Sequence, residues 1–221
     1  MTAQPTPAPG HSDELAEGLR QLLIPQSERA LRLLGLYMDE IERWSPRFGL
    51  VKVASRQELI VKHVLDSLSA WMSIRDAGQD GSVLDVGSGA GLPGIPLAIS
   101  LPRVSFTLLE RSAKRVSFLR ACKALVGLEN VTVVQGDLEA VDMAFDVVTF
   151  RAVSPLSRFL TDAKRCELRF RAVVAYKGRI DRAQAEIEDV RRLTGDLYCM
   201  EVVPVKVPFL DETRCIILLR T

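Results

Sequence analysis

Apolar side chains recur at helical spacing over the first third of the chain and give way to short strand-like runs over the rest. Leu15, Leu19, Leu22 and Leu23 form one stripe, and Leu31, Leu34, Met38, Ile41 and Trp44 form a second. Spacings of three and four residues place each set on one face of a helix. Ser45-Pro46 and Gly49 mark a break after the second stripe, since both residue types punctuate helices. Ser55 with Glu58 fits a capping box ahead of Leu59, Ile60, Val64, Leu68, Trp71 and Met72, each side chain taking an amide that the first helical turn leaves free. The apolar faces of these helices are too large to stay wet, so they are expected to cover the edge or mouth of the domain formed by the rest of the chain.

The period changes at Ser82. Val83–Val86, Val104–Leu109, Val131–Val134, Phe145–Thr149 and Ala172–Tyr176 are short apolar runs separated by helical stretches, the rhythm of a parallel sheet wrapped by helices. Only Lys206–Arg214 separates the last two runs, Met200–Val205 and Cys215–Leu219. No crossover helix fits there, so this pair is predicted to be antiparallel. The chain thus divides into a disordered tail over residues 1–12, a helical extension over 13–80 and an α/β domain over 81–221. The Pro-, Ala- and Thr-rich start lacks the basic region and apolar core of a signal peptide.

Candidate chemistry concentrates after the first strand. Gly87, Gly89 and Gly91 alternate behind Val86, and a helix is predicted from Pro93 or Gly94. A glycine turn at the carboxyl end of a buried strand lets the backbone approach a small-molecule cofactor. Two registers compete with an ordinary tight turn. Gly89, Gly91 and Gly94 satisfy the G-x-G-x-x-G of dinucleotide binding, with Glu110 as the ribose acid, which gives an NAD-dependent oxidoreductase. That fingerprint should open directly at the strand end, at Gly87, and there the third glycine position holds Leu92. The alternating phase, including Ser88 and preceded by Asp85, suits a methyltransferase loop. Five strand–helix steps and an antiparallel pair predict an α/β fold of the Rossmann-like class I methyltransferase type, a mostly parallel seven-stranded sheet with helices on both faces and an N-terminal helical extension. Glu110 closes the second strand, where a carboxylate accepts both hydroxyls of a ribose. Asp137 and Glu139 follow the third strand where an adenine edge would lie, and the backbone of Leu138-Glu139 serves such a base as well as either side chain.

Composition limits the alternatives. Apolar residues make up 48% and charged residues 26% of the chain, a globular balance. With 29 basic and 28 acidic side chains the net charge is +1, so no overall field draws the protein to polyanions and a nucleic-acid site must be a local patch. Arg111, Lys114, Arg115, Arg120 and Lys123 share one predicted helix, readable as a solvated face or as a phosphate-contacting patch. Four scattered cysteines and two histidines make no zinc pattern, so no metal is expected, and a reducing cytoplasm is the simplest setting. No apolar stretch approaches the ~20 residues of a membrane span. His63, Asp66 and Ser67 lie within about one helical turn, whereas a hydrolase triad converges from different elements. The Tyr-x-x-x-Lys pair of many nicotinamide enzymes is missing, since Tyr176 and Lys177 are adjacent.

From about Trp44 to Leu219 the chain resembles the ribosomal RNA small subunit methyltransferase G family, also called glucose-inhibited division protein B. The resemblance is carried by Val61-Lys-His63-Val-Leu-Asp66-Ser67, the run from Asp85 through Gly-Leu-Pro-Gly-Ile-Pro, Lys114-Arg-Val-Ser-Phe-Leu-Arg120, Phe145-Asp-Val-Val, Arg151-Ala152, Lys177-Gly178 and Val207-Pro-Phe-Leu-Asp211. It implies S-adenosylmethionine as cofactor and N7 methylation of one guanine in the 530 loop of 16S rRNA. The weak net charge favours an rRNA presented with ribosomal proteins, within the 30S subunit. The resemblance also implies that Gly87, Leu92, Leu138, Glu139 and Arg151 bind the cofactor and that His63 and Lys177 lie near the substrate. Arg151, a candidate catalytic residue with them, would oppose the charge of an alkylated guanine if pressed against N7, so it is expected to hold the cofactor carboxylate or an RNA phosphate. The chain departs from the family pattern at Phe150, where a serine is usual, at Cys215, where a histidine is usual, and at Ser45 and Gly49, which replace asparagines. A non-catalytic ribosome-associated module that holds cofactor as a structural ligand is the alternative from a different class.

Overall fold

The protein is described by a computed structural model covering residues 9–78 and 81–221, with side chains from Asp13 onward. Helix α1 (Pro9–Gln21) already includes the end of the predicted tail, whose residues 1–8 lie outside the described residues. In α2 (Glu28–Phe48) the Ser27 hydroxyl accepts the amide of Ala30 at 3.0 Å as the N-cap. This helix runs through the break predicted at Ser45-Pro46 and stops at Gly49, which adopts the left-handed conformation (φ 57°, ψ 44°) and donates its amide to Ser45 O. Pro46 is tolerated because it falls in the last turn, while glycine reverses the backbone without a Cβ clash.

The capping box forms, with a variation. Ser55 Oγ accepts the Glu58 amide at 3.1 Å, and the Glu58 carboxylate takes the amide of Ala54, one residue before the cap. The helix it opens is not uniform. A short α3 (Arg56–Leu59) widens into a π-helical turn over Ile60–Leu65, closes again as α4 (Asp66–Leu68) and is followed by α5 (Trp71–Gly78). Such a turn shifts every later side chain around the axis, and apolar spacing does not reveal it.

All seven predicted strands are present: β1 (Ser82–Val86), β2 (Ser105–Glu110), β3 (Val131–Gln135), β4 (Phe145–Arg151), β5 (Phe170–Lys177), β6 (Cys199–Val205) and β7 (Arg214–Arg220). They form one sheet of order β3-β2-β1-β4-β5-β7-β6, in which only β7 runs against its neighbours. The strand order reverses between β1 and β4, which opens a crevice at their carboxyl ends. Helices cover both faces, as the near-continuous apolar strands require. On one face α6 (Gly94–Ser100) and α7 (Ala113–Val126) bury Ile95, Leu97, Phe118 and Leu119 against Val83, Phe106 and Leu108. On the other, α8 (Leu156–Arg165) and α9 (Ile180–Thr194) pack Phe159 and Ile187 against Val148, Phe150 and Val173.

The N-terminal helices lie over the α6–α7 face and share its core through Leu19, Leu34, Tyr37 and Ile41, instead of covering an edge alone. The fully buried Tyr37 hydroxyl donates to Ala90 O at 2.8 Å, tying α2 directly to the glycine turn. Tyr37→Phe is expected to leave that buried carbonyl without its partner and to cost about 1–3 kcal/mol. Urea unfolding should show a lower midpoint with an unchanged m value.

Candidate active site

The crevice at the strand ends opens into a cavity of about 790 Å³. Its floor is the turn after β1, where Gly87 and Gly89 have φ of +68° and +60°, conformations that L side chains rarely take. A Cβ added to Gly89 would meet no other protein atom closer than 3.8 Å, so that position faces open space. Ser88 and Leu92 complete this wall. Glu110, at the end of β2, is buried, and its two oxygens accept the amides of Gly89 and Ser112, each at 2.9 Å. An ionised carboxylate has about four acceptor positions, so both oxygens keep capacity for hydroxyl donors on the cavity side. Asp137, Leu138 and Glu139 form the wall beyond β3. A glycine turn, an acid at the second strand end and an open wall beyond the third strand fit an adenosyl cofactor.

Two residues expected to touch a cofactor do not line the cavity. Gly91 faces α6, where an added Cβ would come within 2.8 Å of Ile95 Cγ1. Asp85 lies fully buried beneath the turn, accepting the Gly94 amide on Oδ2 at 3.0 Å, while its Oδ1 has no hydrogen-bond partner among the described residues. Burial raises its carboxyl to a pKa of about 7. Asp85 therefore pins the first amide of α6 to β1, and its carboxyl serves the turn from below.

The opposite wall is built from β4 and the N-terminal helices. Arg151 closes β4 and donates through Nη1 to Asp66 Oδ2 at 2.7 Å. Its Nη2 lies 3.5 Å from Nδ1 of His63 on the π-helical turn. Burial, followed by the charge of Arg151, lowers the His63 pKa below its usual value, which favours the neutral ring. Asp66 is buried and also accepts from Arg214 Nε at 3.1 Å through Oδ1. Next to it, the Tyr176 hydroxyl donates to Ser67 O. His63 and Asp66, three residues apart on this helix, meet the same guanidinium, and the partner they share comes from β4, which helical spacing alone does not predict.

Beyond Arg151 lies a second cavity of about 390 Å³, with Lys177, Arg214 and Cys215 in its wall. Arg151, Ala152 and Ser154 line both cavities. Lys177 thus belongs to the second cavity and is separated from the glycine turn; its ammonium pairs with Glu186 at 2.6 Å. Of the predicted site residues, His63, Gly87, Ser88, Gly89, Leu92, Glu110, Asp137, Leu138, Glu139 and Arg151 meet around the larger cavity. Asp66 and Arg214, which hold the wall between the cavities, are additions from the structure. Asp66 sits in the sequence motif around His63, but nothing local marks its partners.

Asp85 gives this architecture a pH signature. Its folded pKa lies above the unfolded value of 3.8, so the folded state binds the extra proton and stability falls as pH rises between about 4 and 7. Asp85→Asn keeps an oxygen for Gly94 N and removes the titration. It is expected to flatten thermal stability over that range and to exceed the parent by a few kcal/mol above pH 7, with unchanged cofactor affinity.

Comparisons with known proteins show the family and the fold. Residues 30–215 match the family described as rRNA small subunit methyltransferase G. A relative from Treponema pallidum (strain Nichols), named ribosomal RNA small subunit methyltransferase G, is 36% identical over 94% of this chain and 93% of its own length. A protein of the same name from Chromobacterium violaceum is 34% identical over 92% of this chain and 95% of its own. Among solved structures, a putative O-methyltransferase from Klebsiella pneumoniae superposes with a TM-score of 0.57 at 19% identity, covering 94% of this chain and 96% of its own. A putative RNA methyltransferase from Pyrococcus horikoshii gives 0.51 at 15% identity, over 70% and 83%; these two likenesses concern the fold. Matched by the family model over residues 30–215 and by relatives over nearly their full length, the chain belongs to the rRNA small subunit methyltransferase G family.

Proposed function

We propose that this protein transfers a methyl group from S-adenosylmethionine to N7 of one guanine in the 530 loop of 16S rRNA, with the rRNA held in the 30S subunit. The observation that carries the reading is the pair of cavities sharing the Arg151–Ser154 wall, one with a glycine turn and a ribose-competent acid, the other lined by cations. Bound cofactor would supply an electrophilic methyl on a sulfonium centre. Glu110 would take the ribose hydroxyls, the Asp137–Glu139 wall the adenine, and the Gly87–Gly89 turn the adjoining chain of the cofactor. Arg151 would hold either the cofactor's carboxylate or a phosphate of the RNA.

Guanine N7 presents an exposed lone pair, so the attacking atom needs no deprotonation. Acceleration then comes chiefly from holding N7 in line with the methyl group. A neutral His63 suits that task, since it adds no charge beside a base that becomes cationic; Lys177 stays outside the reacting centre, at the RNA side. A ribosomal substrate places the reaction in the cytoplasm, and among the described residues no helix is long and apolar enough to cross a membrane.

The test is transfer of labelled methyl to 30S subunits lacking the modification, with naked 16S rRNA alongside and the product base mapped. Label at a 530-loop guanine N7 is expected; label elsewhere would redirect the target, and none at all would leave a cofactor-binding module. Glu110→Gln is expected to weaken S-adenosylhomocysteine binding about tenfold, the size of a lost hydrogen bond to a charged group, when measured by calorimetry.

A further inference from the structure

The second cavity carries one cation that the scaffold holds unequally. Arg214, the first residue of β7, donates from Nε to the buried Asp66, from Nη1 to Thr213 O at 3.0 Å and from Nη2 to Glu212 Oε2 at 2.8 Å. Asp66 is fixed from the other side by Arg151. Glu212 lies on the connection between β6 and β7 with its side chain 59% exposed. The other two cations of this cavity are engaged by buried or half-buried carboxylates, Arg151 by Asp66 and Lys177 by Glu186. Arg214 is therefore the one whose outer partner is a solvated side chain, held weakly because water screens the pair.

We infer that Arg214 is a phosphate-binding residue for the RNA strand that presents the acceptor base, and that Glu212 occupies the phosphate's place until the strand arrives. The inference rests on the reading of the chain as an RNA methyltransferase. A guanidinium offers a planar fork that takes two phosphate oxygens. Asp66 holds this fork by its Nε edge, which leaves the outer edge toward Glu212 for exchange. Arg214 lines the cavity that shares Arg151, Ala152 and Ser154 with the cofactor side, so a phosphate gripped there sets its nucleotide beside the larger cavity. Lys62, on the π turn, is paired with Glu58 at 2.9 Å and lies within electrostatic reach of Glu212 and Arg214. Asp66 is accordingly the positioning residue for Arg214, as it is for Arg151.

The experiment uses the full chain and unmethylated 30S subunits, and reads kcat/KM over a salt series together with S-adenosylhomocysteine affinity. Glu212→Gln removes the competing charge from an exposed position and is expected to raise kcat/KM about threefold. Arg214→Ala is expected to lower it about tenfold and to reduce the slope of log(kcat/KM) against log salt by about one. Cofactor affinity is expected to stay unchanged in Glu212→Gln, which leaves the Arg214–Asp66–Arg151 contacts in place, and adding Glu212→Gln to Arg214→Ala should restore nothing. A merely structural ion pair predicts the opposite sign for Glu212→Gln, a loss or no change. That result, or an unaltered salt slope in Arg214→Ala, overturns the assignment. If the parent protein transfers methyl normally while the variants give either of those results, this inference fails alone; if the parent transfers none, the functional reading fails and takes the inference with it.

Discussion

Asp66 is a carboxylate removed from water and paired on both oxygens with guanidinium groups from two strands at the same edge of the sheet, Arg151 at the end of β4 and Arg214 at the start of β7. Taking a carboxylate out of water costs several kcal/mol, and only well-formed charged bonds offset it. Losing one partner of such a pair costs about 3–5 kcal/mol, so this contact fixes where the N-terminal helices meet the sheet. The Tyr176–Ser67 bond reinforces it one residue on. The wall between the two cavities is consequently set by a residue that touches neither strand end through the backbone.

Beneath the glycine turn a different constraint operates. Asp85 sits with one oxygen on Gly94 N and the other without a partner among the described residues, so its charged form is disfavoured at the place where the chain must turn most tightly. Tyr37 supports the same turn from α2 through Ala90 O. The turn is therefore held from below and from the side, and its cavity face is left to glycine backbone. Substituting Gly87 would bring a Cβ within 2.8 Å of Val153 Cγ2, which shows how closely the β4–α8 connection approaches.

The central strands were legible because they are buried on both faces and read as apolar runs, and the antiparallel pair because Lys206–Arg214 is too short for a crossover. Glu110 was legible because it ends a strand next to the glycine turn. Asp66 and Arg214 were not, since 148 residues separate them and no local pattern reports a partner so distant. Pro46 misled because a proline rule says nothing of how near the helix end already lies. The departures from family pattern separate in the same way. Phe150 turns into the α8–α9 core, 4.9 Å from the Phe159 ring, where packing absorbs it. Cys215 pairs in register with Lys177 and lines the second cavity as a thiol whose pKa burial raises, so that change alters the site itself.

The charge balance has its origin in this arrangement. Around the cavities Arg151 meets Asp66, Lys177 meets Glu186, Arg115 approaches Glu110 at 3.9 Å, Arg111 approaches Asp137 at 3.4 Å and Arg165 meets Glu139 at 2.5 Å. A polyanion gains little from cations already matched, so the net charge of +1 reflects a surface that does not collect RNA indiscriminately. The exchange proposed at Glu212, a protein carboxylate for a phosphate, is favourable only when the strand's geometry brings its phosphate to that point. That requirement is the physical ground for proposing, as substrate, RNA already folded within a ribosomal particle.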